Sequence, residues 1–369
     1  MISRCLTFFR KEPVLTAAGI AALGSMLLVP PSAAYLSYVD VRVLCLLFCL
    51  MAVVAGLQSC QLFDLMAQKL LAGSRHLRKV VVLLVLLPFF TSMLVTNDVA
   101  LITFVPFAIL VLRAIGRTDL MIRVIVLQTV AANLGSMDTP VGNPQNLFLY
   151  AHYHLTALDF FQVMLPLSVL SLLGLLAASM AVPRDPIKVT FDQESAVPSH
   201  RRLLIYLALF LLCLLSVFRV LPYGALTAIV LVAVFLTDRT MLGKVNYSLL
   251  LTFVFFFLFA GNIGAIDGVR TLMTGLMGRS TLLSSLLASQ LISNVPASVL
   301  LADFTSDWQG MLAGTNLGGM GTLIASLASL ISFQFYSQQP EARPLRYLGA
   351  FTSANLVGLA ALVPCAALL

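Results

Sequence analysis

Long apolar runs, separated by short polar segments, follow one another along almost the whole chain. Many of them have roughly 20 residues, the length at which an α-helix crosses the ~30 Å hydrocarbon core of a bilayer. The alternation of single polar and apolar residues that is typical of a transmembrane β-barrel is not visible. The pattern therefore predicts an all-α polytopic membrane protein with about nine spanning helices, at 14–30, 40–59, 120–150, 160–182, 203–219, 223–237, 247–266, 309–336 and 345–367.

Two further apolar segments are each divided near the centre by polar residues. The segments and their dividing residues are 80–112 with Thr96, Asn97 and Asp98, and 281–302 with Ser293, Asn294 and Pro296. Each arm of the first has about 15 residues, or roughly 22 Å of helix, which is too short to cross the bilayer. We therefore predict two re-entrant hairpins. The second segment is also short enough to be one continuous span, although Pro296 at its centre argues against a plain helix.

Two of the predicted helices, 120–150 and 309–336, are interrupted by Gly, Asn and small hydroxyl residues. When Asn133 is set on Asn316, the Asn, Leu, Gly, Met and Thr of the two stretches fall in register. A helix break in lipid is costly unless it lines a cavity or packs inside protein. A structural kink would explain one break. Two related breaks instead predict a binding site, formed by Asn133, Gly135, Asp138, Thr139, Asn143, Asn146, Asn316, Gly318, Thr322 and Ser326 together with the tip residues.

The order of these elements occurs twice along the chain: an apolar span, an amphipathic stretch, a divided segment, a broken helix and a closing helix. This order predicts an N-terminal repeat at 1–182, a cytoplasmic linker at 183–202 and a C-terminal repeat at 203–369. An odd number of predicted crossings separates corresponding points, so the second repeat should be inverted. Inverted repeats whose broken helices meet near the bilayer midplane are typical of secondary transporters.

Charged residues make up only 10% of the chain, against 60% hydrophobic residues, yet the net charge is +7. With a cytoplasmic N-terminus and a periplasmic C-terminus, the Lys and Arg residues fall on the cytoplasmic side. The exceptions are Arg42, Arg219, Arg270 and Arg279. The excess positive charge is therefore an orientation signal, and we expect the bilayer rather than nucleic acid as the partner. A signal peptide would also begin with basic residues, but the first apolar run is long enough to span most of a bilayer, which favours an uncleaved helix.

Only two acidic residues, Asp98 and Asp138, lie at predicted membrane depth. Intramembrane carboxyl groups are functional candidates, here as proton carriers or, when ionised, as cation ligands. Two facing Asp could also belong to an aspartyl protease, but the chain has neither a His-Glu-x-x-His pair nor a Gly-x-Ser-x-Gly elbow, and we predict no enzyme activity. His152 and His154 lie in a predicted outer loop, where His is usually solvated, so no metal site or cofactor is expected.

The motifs at the tips and breaks resemble those of the ion transporter superfamily. They are Thr-Asn-Asp at 96–98, Asn-Leu-Gly-Ser-Met-Asp-Thr-Pro-Val-Gly-Asn-Pro-Gln-Asn at 133–146, Ser-Asn-Val-Pro at 293–296 and Asn-Leu-Gly-Gly-Met-Gly-Thr at 316–322. The superfamily includes arsenite/antimonite permeases, citrate transporters, sodium–proton antiporters and sodium–dicarboxylate symporters. The likeness covers nearly the whole chain and is strongest to small bacterial inner-membrane permeases of the arsenite-permease-like branch.

The resemblance implies secondary active transport with an elevator-like motion, and often a homodimer. In the dicarboxylate symporters, Ser-Asn-Thr at both tips binds sodium and the substrate. Here Thr96, Asn97, Ser293 and Asn294 match that motif, but Val295 has no hydroxyl group for a second sodium site. The Asp at the first tip is a feature that the chain shares with the arsenite permeases. This resemblance implies proton coupling through Asp98.

Together these observations predict a transporter of the bacterial inner membrane that moves a small anion or a neutral metalloid oxyacid, coupled to protons through Asp98 and Asp138. The alternatives are a sodium-coupled di- or tricarboxylate symporter and a sodium–proton antiporter of the same fold. A passive channel would show flux without coupling and without dependence on Asp98.

Overall fold

The computed structural model describes residues 12–33, 35–72, 74–187 and 198–369. Within these ranges the regular structure is helical, apart from one isolated antiparallel bridge between His76 and Pro186. The chain is therefore an all-α polytopic protein, as predicted. The basic N-terminal residues and the central part of the predicted linker 183–202 lie outside the described residues.

Eighteen α-helices follow one another in the described ranges. The first nine are α1 Pro13–Met26, α2 Tyr35–Tyr38, α3 Val41–Ser59, α4 Leu62–Leu71, α5 Leu77–Thr91, α6 Asn97–Ala114, α7 Met121–Ser136, α8 Pro144–His152 and α9 Ala157–Met180. The others are α10 His200–Val217, α11 Tyr223–Asp238, α12 Tyr247–Gly264, α13 Asp267–Arg279, α14 Thr281–Ile292, α15 Asn294–Leu301, α16 Trp308–Leu317, α17 Leu327–Ser337 and α18 Pro344–Ala366. Short 3₁₀ turns cover Thr118–Leu120, Arg239–Lys244 and Ala302–Phe304.

Eight helical segments in the described ranges are long and apolar enough to cross a membrane. Seven of them match predicted spans, or the first half of the broken helix 120–150. The eighth is α6, the second arm of the first hairpin, whose 18 residues exceed the predicted arm. Conversely, α1 ends at Met26 and is shorter than the predicted span 14–30. The predicted helix 309–336 is divided into α16 and α17, neither of which is long enough to cross alone.

One order of helices occurs twice in the described part of the chain. A long apolar helix, a short helix, a helix pair, a helix in two halves and a long closing helix occur first as α3–α9 and again as α12–α18. The two series also begin alike. Asp40 caps α3 by accepting a hydrogen bond from the Val43 N–H at 3.0 Å, and Asn246 caps α12 by accepting from the Leu249 N–H at 2.9 Å.

Two corresponding glycines bring each hairpin against its broken helix. A Cβ atom on Gly135 of α7 would lie 2.0 Å from the carbonyl oxygen of Phe89 in α5. A Cβ atom on Gly318 would lie 2.6 Å from the side chain of Ser289 in α14. Only glycine permits these approaches, and they place the two hairpin tips beside the two breaks.

Candidate functional site

The first hairpin tip and both helix breaks meet through three buried side chains. Asn97 donates from Nδ2 to Oδ1 of Asn133 at 2.8 Å and lies 3.4 Å from the Ser326 hydroxyl. The Ser326 hydroxyl in turn donates to Asn133 Oδ1 at 3.1 Å. All three residues are at most 5% exposed. These hydrogen bonds bring residues of the first tip and of both breaks into one buried cluster.

A second set of hydrogen bonds links the two repeats reciprocally. Asn133 Nδ2 donates to the hydroxyl of Ser329 at 3.3 Å, and Asn316 Nδ2 donates to Oδ1 of Asn146 at 2.6 Å. In the alignment that pairs Asn133 with Asn316, Asn146 falls opposite Ser329. The two donors, Asn133 and Asn316, therefore occupy equivalent positions, and so do the two acceptors, Ser329 and Asn146. Such a reciprocal pair of bonds is expected for a pseudo-two-fold axis between the repeats.

The two tips share one local arrangement. The side-chain oxygen of Asn97 accepts from the Asp98 N–H, and that of Asn294 accepts from the Val295 N–H, both at 2.9 Å. The second tip then docks on its own break. The Asn294 N–H and the Ser293 hydroxyl donate to the carbonyl of Ala325 at 3.0 and 3.2 Å.

A cavity of about 290 Å³ opens beside the first tip. Thr96, Asp98 and Asn143 line it, and α3 supplies an apolar wall. Thr96 is the N-cap of α6 and Asn143 is the N-cap of α8, so two helix N-termini border the same space. Helix N-termini carry free N–H groups and partial positive charge, which favour a bound anion.

The two predicted carboxylates lie in different surroundings. Asp98 is half-buried and faces the cavity, and within the described ranges its carboxylate accepts no hydrogen bond and forms no ion pair. Asp138 is 9% exposed, lies beside Ser168 of α9 and does not line this cavity.

Several predicted site residues form hydrogen bonds that stabilise the backbone conformation of the first break. Thr139 donates to the Met93 carbonyl and accepts from the Gly142 N–H. Asn143 Nδ2 donates to the Ser136 hydroxyl at 2.6 Å. Asn146 Nδ2 donates to the carbonyls of Ser136 and Thr139, both at 3.1 Å.

Four buried oxygen atoms around the breaks have no hydrogen-bond partner in the described part of the chain: Asp138 Oδ1, Asn143 Oδ1, Gln145 Oε1 and Asn316 Oδ1. Amide and carboxylate oxygens are ligands for hard cations. The described residues contain no group of three or more His, Cys, Asp or Glu side chains that would hold a metal ion.

Two side chains at the site were not among the predicted residues. Gln290 of α14 donates from Nε2 to the carbonyls of Gly318 and Met320, both at 2.8 Å, and accepts from the Thr322 N–H. Gln290 is an amide within an apolar run, one turn before the tip, and this position could have identified it from the sequence. The other is Lys244, which lines the cavity beside Asp98. Thr322 itself is exposed and contacts Gln290 rather than the cavity.

A model of the citrate transporter family matches residues 6–308, most of the chain. The chain belongs to this family. It is therefore a multi-pass membrane transport protein. The match ends at the start of α16, so the second break lies beyond it.

Two relatives cover similar shares of the chain. An uncharacterized transporter of Methanocaldococcus jannaschii, MJ0456, is 32% identical over 290 residues, which are 78% of this chain and 79% of the relative. The inner membrane protein YbiR of Escherichia coli is 28% identical over 291 residues, 77% of each chain. Both names agree with a membrane protein, and the first agrees with transport.

Proposed function

We propose that the protein is a secondary active transporter that carries a small anion across the cell membrane, coupled to protons through Asp98. Its family and the inner-membrane name of one relative support the class and the location. The observation that carries the proposal is the cavity, where the N-termini of α6 and α8 and the unpaired carboxyl group of Asp98 border one space.

The coupling follows from electrostatics in that space. An ionised Asp98 is stabilised by the N-terminus of α6 and repels an anion that would bind at the same place. Protonation removes this negative charge and leaves the helix N-termini free to attract the substrate. Proton and anion therefore bind best together, which favours their movement in the same direction. A neutral metalloid oxyacid would lack this dependence on charge.

We assign coupling to Asp98 rather than to Asp138, because Asp138 does not line the cavity. A second candidate is sodium coupling. The unpaired oxygens of Asp138, Asn143 and Asn316 favour it, since a small cation bound at the breaks would satisfy them.

The test uses purified protein in proteoliposomes with a trapped pH dye. Arsenite, antimonite, citrate, succinate, sulfate and sodium are added in turn under an imposed pH gradient. We expect proton flux with one of the anions and its loss in Asp98→Asn, while the surface variant Asp119→Asn keeps the wild-type rate. Wild-type flux in Asp98→Asn would contradict the proton-carrier role. Flux that requires sodium while the dye stays silent would replace proton coupling with sodium coupling.

A further inference from the structure

The cavity beside Asp98 contains one cationic side chain. Lys244 lies at the end of the 3₁₀ turn Arg239–Lys244, directly before α12. Asp98 and Lys244 are the two charged residues among those that line the space, and their charges are opposite. Lys244 is exposed, so its side chain is accessible to solvent.

Within the described ranges, Lys244 forms no ion pair with an acidic side chain. Lys244 interacts electrostatically with Asp238, but that carboxylate already contacts Arg202 at 3.3 Å and accepts from the N–H and hydroxyl of Thr240. An ammonium group that lines a cavity without a bound acid is available to a ligand.

The Lys244 side of the cavity belongs to different helices from the Asp98 side. The 3₁₀ turn Arg239–Lys244 packs against α3 and α11, whereas the tip that carries Asp98 begins α6, which packs against α7 and α17. A ligand in the cavity would therefore contact two groups of helices, with the helix N-termini on one side and the ammonium group on the other.

We infer that Lys244 binds a second negative charge of the substrate and so selects anions with two or more carboxylates over monocarboxylates. This inference rests on the proposed function. One carboxylate would lie at the N-termini of α6 and α8, and Lys244 would meet another. A volume of about 290 Å³ accommodates a small organic anion of this kind.

The test measures binding of citrate, succinate and acetate to the purified protein in nanodiscs by calorimetry. Lys244→Gln removes the charge and keeps much of the side-chain length, while Lys244→Arg keeps the charge. Arg239→Gln is the matched control, because Arg239 is an exposed cation on the same turn that does not line the cavity.

We expect Lys244→Gln to weaken succinate and citrate binding at least tenfold and acetate binding less than twofold, so that the preference for the second carboxylate disappears. Lys244→Arg and Arg239→Gln should keep that preference. Equal losses for succinate and acetate, or no loss, would overturn the inference and leave the proposed function standing. Wild-type protein that binds none of the three carboxylates would overturn both the inference and the carboxylate form of the proposed function.

Discussion

Asn316 donates a hydrogen bond of 2.6 Å to the side chain of Asn146, and both residues are almost fully buried. They belong to different repeats, 170 positions apart. Their counterparts, Ser329 and Asn133, are joined by a longer bond of 3.3 Å. The contact between the two halves is therefore made by the breaks themselves, through polar groups at the centre of an otherwise apolar protein.

Asn316→Ala should lower the free energy of unfolding by about 1–3 kcal/mol, because the side-chain oxygen of Asn146 would stay buried without its donor. Ser329→Ala should cost less, about 1 kcal/mol, since the bond it removes is longer. Thermal unfolding of the two purified variants in detergent measures the difference. Equal losses would show that the reciprocal bonds do not differ in strength, and a larger loss in Ser329→Ala would contradict the predicted order.

Asn97→Ala should reduce the initial rate of substrate transport at least tenfold. Its side chain contacts Asn133 and Ser326 and lies next to Asp98, so its loss loosens both breaks and the cavity wall together. Asn294→Ala should impair transport less, because the second tip docks partly through its backbone N–H.

Uptake into proteoliposomes tests both substitutions, with Val295→Ala as the apolar control at the second tip. Equal losses in Asn97→Ala and Val295→Ala would contradict a specific role of the amide.

Gly135→Ala should destabilise the protein by about 1–3 kcal/mol or prevent its accumulation, because the new methyl group meets the Phe89 carbonyl of α5. The matched control is Gly174→Ala in α9, where a Cβ atom would have no neighbour within 4 Å. That substitution should leave stability unchanged or raise it by up to about 1 kcal/mol. Yield and thermal unfolding of the two variants provide the measurement, and similar behaviour of both would rule out the steric account.

Cysteines at the two tips should be reached from opposite sides of the membrane. In a variant whose six native cysteines are replaced by Ala, Thr96→Cys should react with a membrane-impermeant maleimide added to the cytoplasmic side. Ser293→Cys should react from the periplasmic side. Both residues are partly exposed, so the thiols are accessible in principle. The opposite labelling pattern would contradict the inverted topology.

The hairpins and breaks could be predicted from sequence because their causes are local. Pro140, Pro144 and the clustered glycines favour an interruption of the helix, and polar Asn97 or Asn294 inside an apolar run marks a tip. The paired residues Asn133 and Asn316 each form a hydrogen bond to the other break in the structure.

The surroundings of each polar side chain could not be predicted, since they depend on packing between distant helices. Asp98 and Asp138 have the same chemistry and similar predicted depth, yet one faces a cavity and the other faces α9. From the sequence, Lys244 could be interpreted only as one of the basic residues that set the membrane orientation. No neighbouring residue in the sequence indicates that its turn and the first tip line the same cavity.

The length of α6 illustrates a smaller difference. The sequence placed Thr96, Asn97 and Asp98 in a break between two arms of similar length. In the structure the helix begins at Asn97, so Asp98 belongs to its first turn, where a carboxylate is stabilised by the free N–H groups. The additional residues make this arm long enough to cross a membrane.

The side-chain amide of Gln290 binds the backbone groups of the second break. Its side chain forms hydrogen bonds with the carbonyls of Gly318 and Met320 and with the Thr322 N–H. Without Gln290, these polar groups would be available to a ligand. Within the described residues, the cavity beside Asp98 is not filled by a corresponding side chain. We therefore expect a stoichiometry of one anion per polypeptide in each cycle, even though the helix order occurs twice.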